Sequence, residues 1–333
     1  MKRTNLRKLR LGLSICLASF ALGHGALANA GDWESSFEPE LTWYPNENPD
    51  ARVPESNYES NLSAAVTVGR SWSSRYHLFD LNLFAREDQQ DENRSHVDVR
   101  EALLTLVFNS VEVQAGVGRV FWGVTEAAHV VDVINQDDFV ENVDGEDKLG
   151  QPMVALKWYS PFGDFSAYAL PGFRSRAFNA DDARPSLPID VHEEDEQFEA
   201  SDRKKHVDYA FRWKHYFGPV DFGLSWFKGT ARAPRIVPCY RSGTTRADAD
   251  GSSDSTPNCD LASGIPDAPA PLLVTLNDTL ALLGVGTSSD EQAAQIEEEI
   301  RSEISLIPHY DLSEQIGLDV QYTVGPAAFK VEA

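Results

Sequence analysis

Acids crowd one stretch of this chain. Arg119, Glu126, His129, Asp132, Asp137, Asp138, Glu141, Asp144, Glu146 and Asp147 fall within a few turns of one another. Carboxylates interleaved with a histidine support two kinds of chemistry. Glu126, His129 and Asp132 can ligate a cation through oxygen and imidazole nitrogen. Alternatively, Glu126, His129, Asp132, Asp137 and Asp138 can set ion preference by their field in a constriction. A third reading is a packed external loop with solvated acids. Val130, Val131, Val133 and Ile134 share the stretch, so the loop is expected to pack against a surface.

Other chemistry is sparse. His77, His96, His129, His192, His206, His215 and His309 lie in no G-x-S-x-G or H-E-x-x-H pattern. A hydrolase would have to assemble its groups from separate strands. No catalytic residue, metal or cofactor is assigned. Cys239 and Cys259 are expected to pair as a disulfide across a loop rich in Asp, Ser, Thr and Gly. That closure is worth roughly 3 kcal/mol. His192-Glu193-Glu194-Asp195-Glu196 reads as a solvated loop tip.

The N-terminus supplies the compartment. Lys2, Arg3, Arg7, Lys8 and Arg10 precede an apolar stretch from Leu11 to Leu27, which closes on Ala28-Asn29-Ala30. That is the layout of a secretory signal, with cleavage expected after Ala30. Removing five basic residues from a chain of formal charge −23 leaves −28. So acidic a surface argues against nucleic acid as a partner and favours mild cation preference. No later apolar run is long enough for a membrane helix.

The elements that must position these groups alternate at period 2. Apolar Phe79, Leu81 and Leu83 oppose Asp80, Asn82 and Arg86. Tyr209, Phe211 and Trp213 oppose Asp208, Arg212 and Lys214. Ile316, Leu318, Val320 and Tyr322 oppose Asp319 and Gln321. The polar set is completed by Asp98, Arg100, Glu112, Gln114, Lys157 and Asp221. The 96–108 segment keeps Asp98 and Arg100 on the face that later carries Leu104 and Leu106. Either a β-bulge near Glu101 switches its register, or apolar groups fill the interior.

Strands are expected near 36–45, 60–71, 76–86, 96–108, 111–121, 153–160, 164–173, 207–217, 220–230, 313–324 and 328–333. Tight turns such as Asn109-Ser110, Gly218-Pro219 and Gly325-Pro326 alternate with long links at 46–59, 87–95, 122–152, 174–206 and 231–312. Short connections at one end and long ones at the other are the habit of outer-membrane barrels. Residues 1–30 are thus read as a signal peptide and 31–333 as an all-β, antiparallel transmembrane β-barrel of outer-membrane type. One short helix is expected at 289–305, with Ile296, Ile300 and Ile304 on one side. Eleven strands and the absence of a terminal aromatic residue read as C-terminal truncation of the barrel.

Gly118-Arg119-Val120-Phe121-Trp122-Gly123-Val124-Thr125-Glu126, Asp132-Val133-Ile134-Asn135-Gln136, Lys148-Leu149-Gly150-Gln151-Pro152-Met153 and the 314–322 strand resemble uncharacterised proteobacterial outer-membrane barrels. These are porin-like, DUF1302-style proteins, and the likeness covers roughly 95–160 and 205–333. The resemblance implies a longer barrel and carries no established activity. The expectation is a porin-like channel for passive diffusion of small hydrophilic solutes, its lumen lined by the fourteen polar residues named above. The alternatives are a plugged barrel acting as a surface binding or structural protein, and an outer-membrane hydrolase. Expected partners are outer-membrane lipid, lipopolysaccharide and small solutes, and the architecture is compatible with a homo-oligomer.

Overall fold

Unbroken alternation of apolar and polar residues favours extended chain, and strands form wherever it persists. The computed structural model describes residues 33–46, 58–125, 129–142, 144–184, 191–240 and 304–333. Eleven of its strands form one sheet: β1 (Glu34–Trp43), β2 (Ser60–Ser73), β3 (His77–Asp88), β4 (Val97–Phe108), β5 (Val111–Gly118), β6 (Gln151–Ser160), β7 (Gly163–Pro171), β9 (Val207–Phe217), β10 (Val220–Thr230), β13 (Leu312–Val324) and β14 (Ala327–Glu332). Every pairing in this sheet is antiparallel and runs in chain order. Among the described residues β1 and β14 do not pair with each other.

The remaining three strands, β8 (Gln197–Phe198), β11 (Arg235–Tyr240) and β12 (Ile304–Tyr310), make a small second sheet in the order β11-β12-β8. They lie inside the long links, where no strand was expected. Pro238 and Pro308 interrupt their pattern, and proline cannot donate to a ladder.

Connections sort by length. Tight turns close on left-handed residues, Asn109 at φ +50°, Gly218 at +59° and Gly325 at +56°. The expected strand boundaries agree with the observed ones to within about two residues, save that β5 stops three residues early. The signal segment and Cys259 lie outside the described residues, and so does most of the expected 289–305 helix. That helix cannot extend to 305, because Ile304 opens β12.

The sheet is polar inside and apolar outside. Phe37, Val97 and Ile316 point outward at 66%, 80% and 71% exposure, with Leu62, Leu83, Leu156, Phe211, Leu318 and Phe329 beside them. The opposite, inner face buries Arg86, Asp98, Arg100, Asp208, Arg212 and Asp319. In water each such exposed side chain forgoes roughly 1.5–3 kcal/mol of burial.

β4 resolves the conflict noted in its sequence. Asn82 pairs with Glu101 and Leu83 with Val99, so Arg100 is an extra residue on β4. Asp98 and Arg100 face inward before this bulge, and Leu103 and Thr105 face inward after it. The bulge is the alternative that holds: Leu104 and Phe108 turn outward, and it is Leu103 that joins an apolar cluster on the inner face.

The acidic 192–196 run is not a free tip. Glu193 accepts the Phe178 N–H at 2.6 Å, and Glu196 is buried beside Lys204.

Candidate functional site: the inner face and the segment packed on it

Register builds the inner face in rows. One row runs Glu112, Lys157, Ser166, Arg212, Ser225 across β5, β6, β7, β9 and β10. The row nearer the short turns holds Tyr159, Asp164, Lys214 and Gly223. The row nearer the long links holds Gln114, Ala155, Tyr168, Ala210 and Phe227. Charge thus gives way to apolar and aromatic groups within one step along the strands.

That apolar level receives the segment between β5 and β6. Trp122, Val131 and Ile134 are buried against Leu103, Met153, Ala155, Tyr168, Leu170, Ala210 and Phe227. Trp122 meets Tyr168 edge-on at 5.7 Å between centroids. Val131 sits directly over the backbone of β13: a Cβ on Gly317 would lie 2.8 Å from its Cγ1. Asn135 donates to the carbonyls of Gly118 and Leu149, and Gln136 to those of Arg174 and Arg232. The segment's start is held by Glu332, whose Oε1 accepts the Val124 and Thr125 N–H groups at 2.7 and 2.9 Å.

Beneath Trp122 the inner face opens into a cavity of about 490 Å³. Asp80, Glu112, Gln114, Lys157, Arg212 and Lys214 line it, six of the fourteen residues assigned to a lumen. Arg119, named with the acidic stretch, also lines it, and the lumen assignment missed Glu101, Asp164, Ser166 and Tyr168 on the same walls. The last three follow from the alternation of β7; Glu101 needed the bulge. Acids Asp80, Glu101 and Glu112 come from β3, β4 and β5, whereas Lys157, Arg212 and Lys214 come from β6 and β9. Tyr159 donates to Glu112 at 3.1 Å.

Asn82, Asp221 and Gln321 share this face without lining the cavity, and Asp221 pairs with Gln321 in register. The other five, Arg86, Asp98, Arg100, Asp208 and Asp319, are held in ion pairs. Arg86 is held by Glu141 and by Glu40 at 3.0 Å. Arg100 bonds Asp138 at 2.6 Å, and Asp98 bonds Arg174 at 2.8 Å. Asp208 bonds Arg232 at 2.7 Å, and Asp319 bonds Arg212 at 2.7 Å. Isolated buried charges are too costly to leave unpaired, so polar alternation on a packed inner face becomes a lattice of partners.

The same holds for the acidic segment. Asp137 bonds Lys148 and Arg176, both at 2.5 Å, and Asp138 is shared by Arg100 and His96. His129 bonds Glu146 at 3.0 Å and meets the Phe121 ring. Asp132 is buried, accepts the Trp122 N–H and lies 3.6 Å from Lys148. Burial lifts its pKa above the usual range against the pull of Lys148 and that N–H. His96 loses basicity to burial but regains more from Asp138 and the Arg94 carbonyl, so its pKa rises. Burial raises Asp138, yet His96 and Arg100 outweigh it and hold the carboxyl below its ordinary value. Free acids setting an ion preference from this segment are therefore replaced by compensated pairs. Glu126 lies outside the described residues.

No family model matches the chain, and no curated protein does. Among solved structures, the chain is similar to the high-pH structure of Pseudomonas putida OprB, at a TM-score of 0.36 and 10% sequence identity. That alignment covers 91% of this chain and spans 66% of the other, just under two thirds of its length.

Proposed function

We propose that this chain forms an outer-membrane channel for passive diffusion of small hydrophilic solutes, with the 119–150 segment lodged against its inner wall as a constriction. The observation that carries this reading is the reversed polarity of the sheet. A face of exposed Leu, Ile, Val and Phe side chains backed by buried Arg and Asp suits hydrocarbon outside and water inside. Nine of the eleven strands run nine to fourteen residues, the length a tilted strand needs to cross a bilayer. Among the described residues no helix is long and apolar enough to cross a membrane, which leaves strands to do so.

The cavity beneath Trp122 then belongs to the diffusion path, and its mixed charges orient a solute. Planar-bilayer recording of the full chain tests this. Discrete conductance steps are expected; a folded, inserted protein without steps would sink the channel reading.

One observation favours a second reading, a plugged barrel that binds at the surface. Trp122, Val131 and Ile134 form an apolar core with the sheet, which a mobile constriction does not need. Under that reading the full chain is silent and conducts once 122–150 is removed.

A further inference from the structure

Three cations line one wall of the cavity, and the register sets their spacing. Lys157 on β6 and Arg212 on β9 flank Ser166 in a single row, and Lys214 is the next inward residue on β9. The Arg212 side chain is nine-tenths buried. Its Nη2 bonds Asp319 at 2.7 Å, but its Nη1 has no hydrogen-bond partner. Lys157 and Lys214 make no salt bridge among the described residues. The nearest acids by register are Glu112 and Asp164, the second on β7 between the two strands that carry the cations. Glu112, across from Lys157, accepts the Tyr159 hydroxyl, and Asp164 lies across from Lys214. Elsewhere on the inner face cations are paired: Arg86, Arg100, Arg174 and Arg232 all have carboxylates. Among the described residues the exceptions on this wall are Lys157 and Lys214, and both line the cavity.

A buried guanidinium with a free N–H, flanked by two unpaired ammonium groups and a hydroxyl, has the donors that a planar or tetrahedral oxyanion accepts. We propose that Lys157, Ser166, Arg212 and Lys214 form a binding site for a carboxylate or phosphate group carried by a small solute. The site rests on the channel reading and names its substrate class. It runs against the acidity of the whole chain, because recognition at contact distance is set by local groups and distant charges are screened. Asp80 and Glu101 stand on strands away from this wall.

The test uses the full-length protein folded in detergent micelles, titrated at constant ionic strength with sodium phosphate, sodium succinate, and sodium chloride as control. Trp122 reports locally, since the Arg212 guanidinium lies 5.4 Å from its ring, and calorimetry gives the affinity. Saturable binding of phosphate, succinate or both is expected, and their ratio separates the two oxyanions. Lys157→Gln and Lys214→Gln should each weaken it about tenfold, the loss of one charge-assisted contact. Asp80→Asn, which removes an acid from the far wall, should tighten binding. Chloride-like, non-saturating responses to both anions overturn the site, as does binding that survives both lysine changes. Should one lysine variant fail to fold, the other decides. Bilayer recording of the same preparation separates the two claims: steps without anion binding retire only the site, and binding without steps retires only the channel.

Discussion

Arg232 Nη1 lies 2.7 Å from Asp208 Oδ2, and the same guanidinium donates through Nε to the Ile134 carbonyl at 2.7 Å. One buried cation therefore ties β9 to the segment that packs on the inner face. Asp208 is further committed to the Thr230 N–H at 2.9 Å, and the Arg232 carbonyl accepts Gln136. The ion pair is a junction of three chain segments rather than a polar lining.

Breaking that junction from one side should be costly. Asp208→Ala leaves a buried guanidinium without its counter-charge and is expected to lower stability by about 3–5 kcal/mol. Replacing both partners, Asp208→Leu with Arg232→Met, should recover much of the loss. Urea unfolding in micelles, followed by tryptophan emission, measures both; equal losses in single and double variants would refute the assignment.

The His96–Asp138 contact predicts a pH window. His96 has a raised pKa, so its stabilisation is complete below its ordinary value of 6.5 and disappears as pH climbs through the raised one. Asp138 has a lowered pKa, so its share is complete above 3.8 and disappears as pH falls through the lowered one. The segment should be held most firmly between these limits and loosen on the alkaline side. The Asp138 N–H, bonded to the Asp147 carbonyl at 2.8 Å, is the reporter. After correction for intrinsic rates, its hydrogen exchange should quicken from pH 6 to pH 8. In His96→Phe that added pH dependence should vanish.

Val131 and Gly317 test how closely the segment seats. A methyl group on Gly317 would come 2.8 Å from Val131 Cγ1 and 2.6 Å from Ser225 Oγ. Gly317→Ala should therefore cost about 1–3 kcal/mol by overpacking. Adding Val131→Ala should relieve part of it, a positive coupling that a double-mutant cycle detects. Strict additivity would show that the two do not touch.

Glu332 holds the start of the segment through two amides and the Thr125 hydroxyl. Glu332→Gln keeps the shape and removes the charge. Exchange at the Val124 and Thr125 amides should rise about tenfold, in keeping with one charge-assisted bond weakened. Unchanged protection at both amides would show that the carboxylate is incidental.

Much of the large sheet was legible because its physics is local. Alternation at period 2 needs only neighbouring residues, and turns such as Gly218-Pro219 announce themselves by composition. The partners were not legible. Arg212 and Asp319 are 107 positions apart, and Arg232 and Ile134 are 98 apart. Alternation therefore placed Asp208 and Arg100 on the correct face but could not tell a lining group from one locked to a partner. The small sheet escaped because Pro238 and Pro308 broke its pattern, and Glu101 escaped because the bulge moved it.

That bulge has a larger reach than its one residue. With Arg100 removed, Val99 would still pair with Leu83 and Glu101 with Asn82, and β4 would alternate without a break. What the strand would lose is the buried guanidinium that bonds Asp138. A single codon thus acts as a phase shift in the strand. Substitution rules reverse at this point: before it even-numbered positions must stay polar, and after it even-numbered positions must stay apolar.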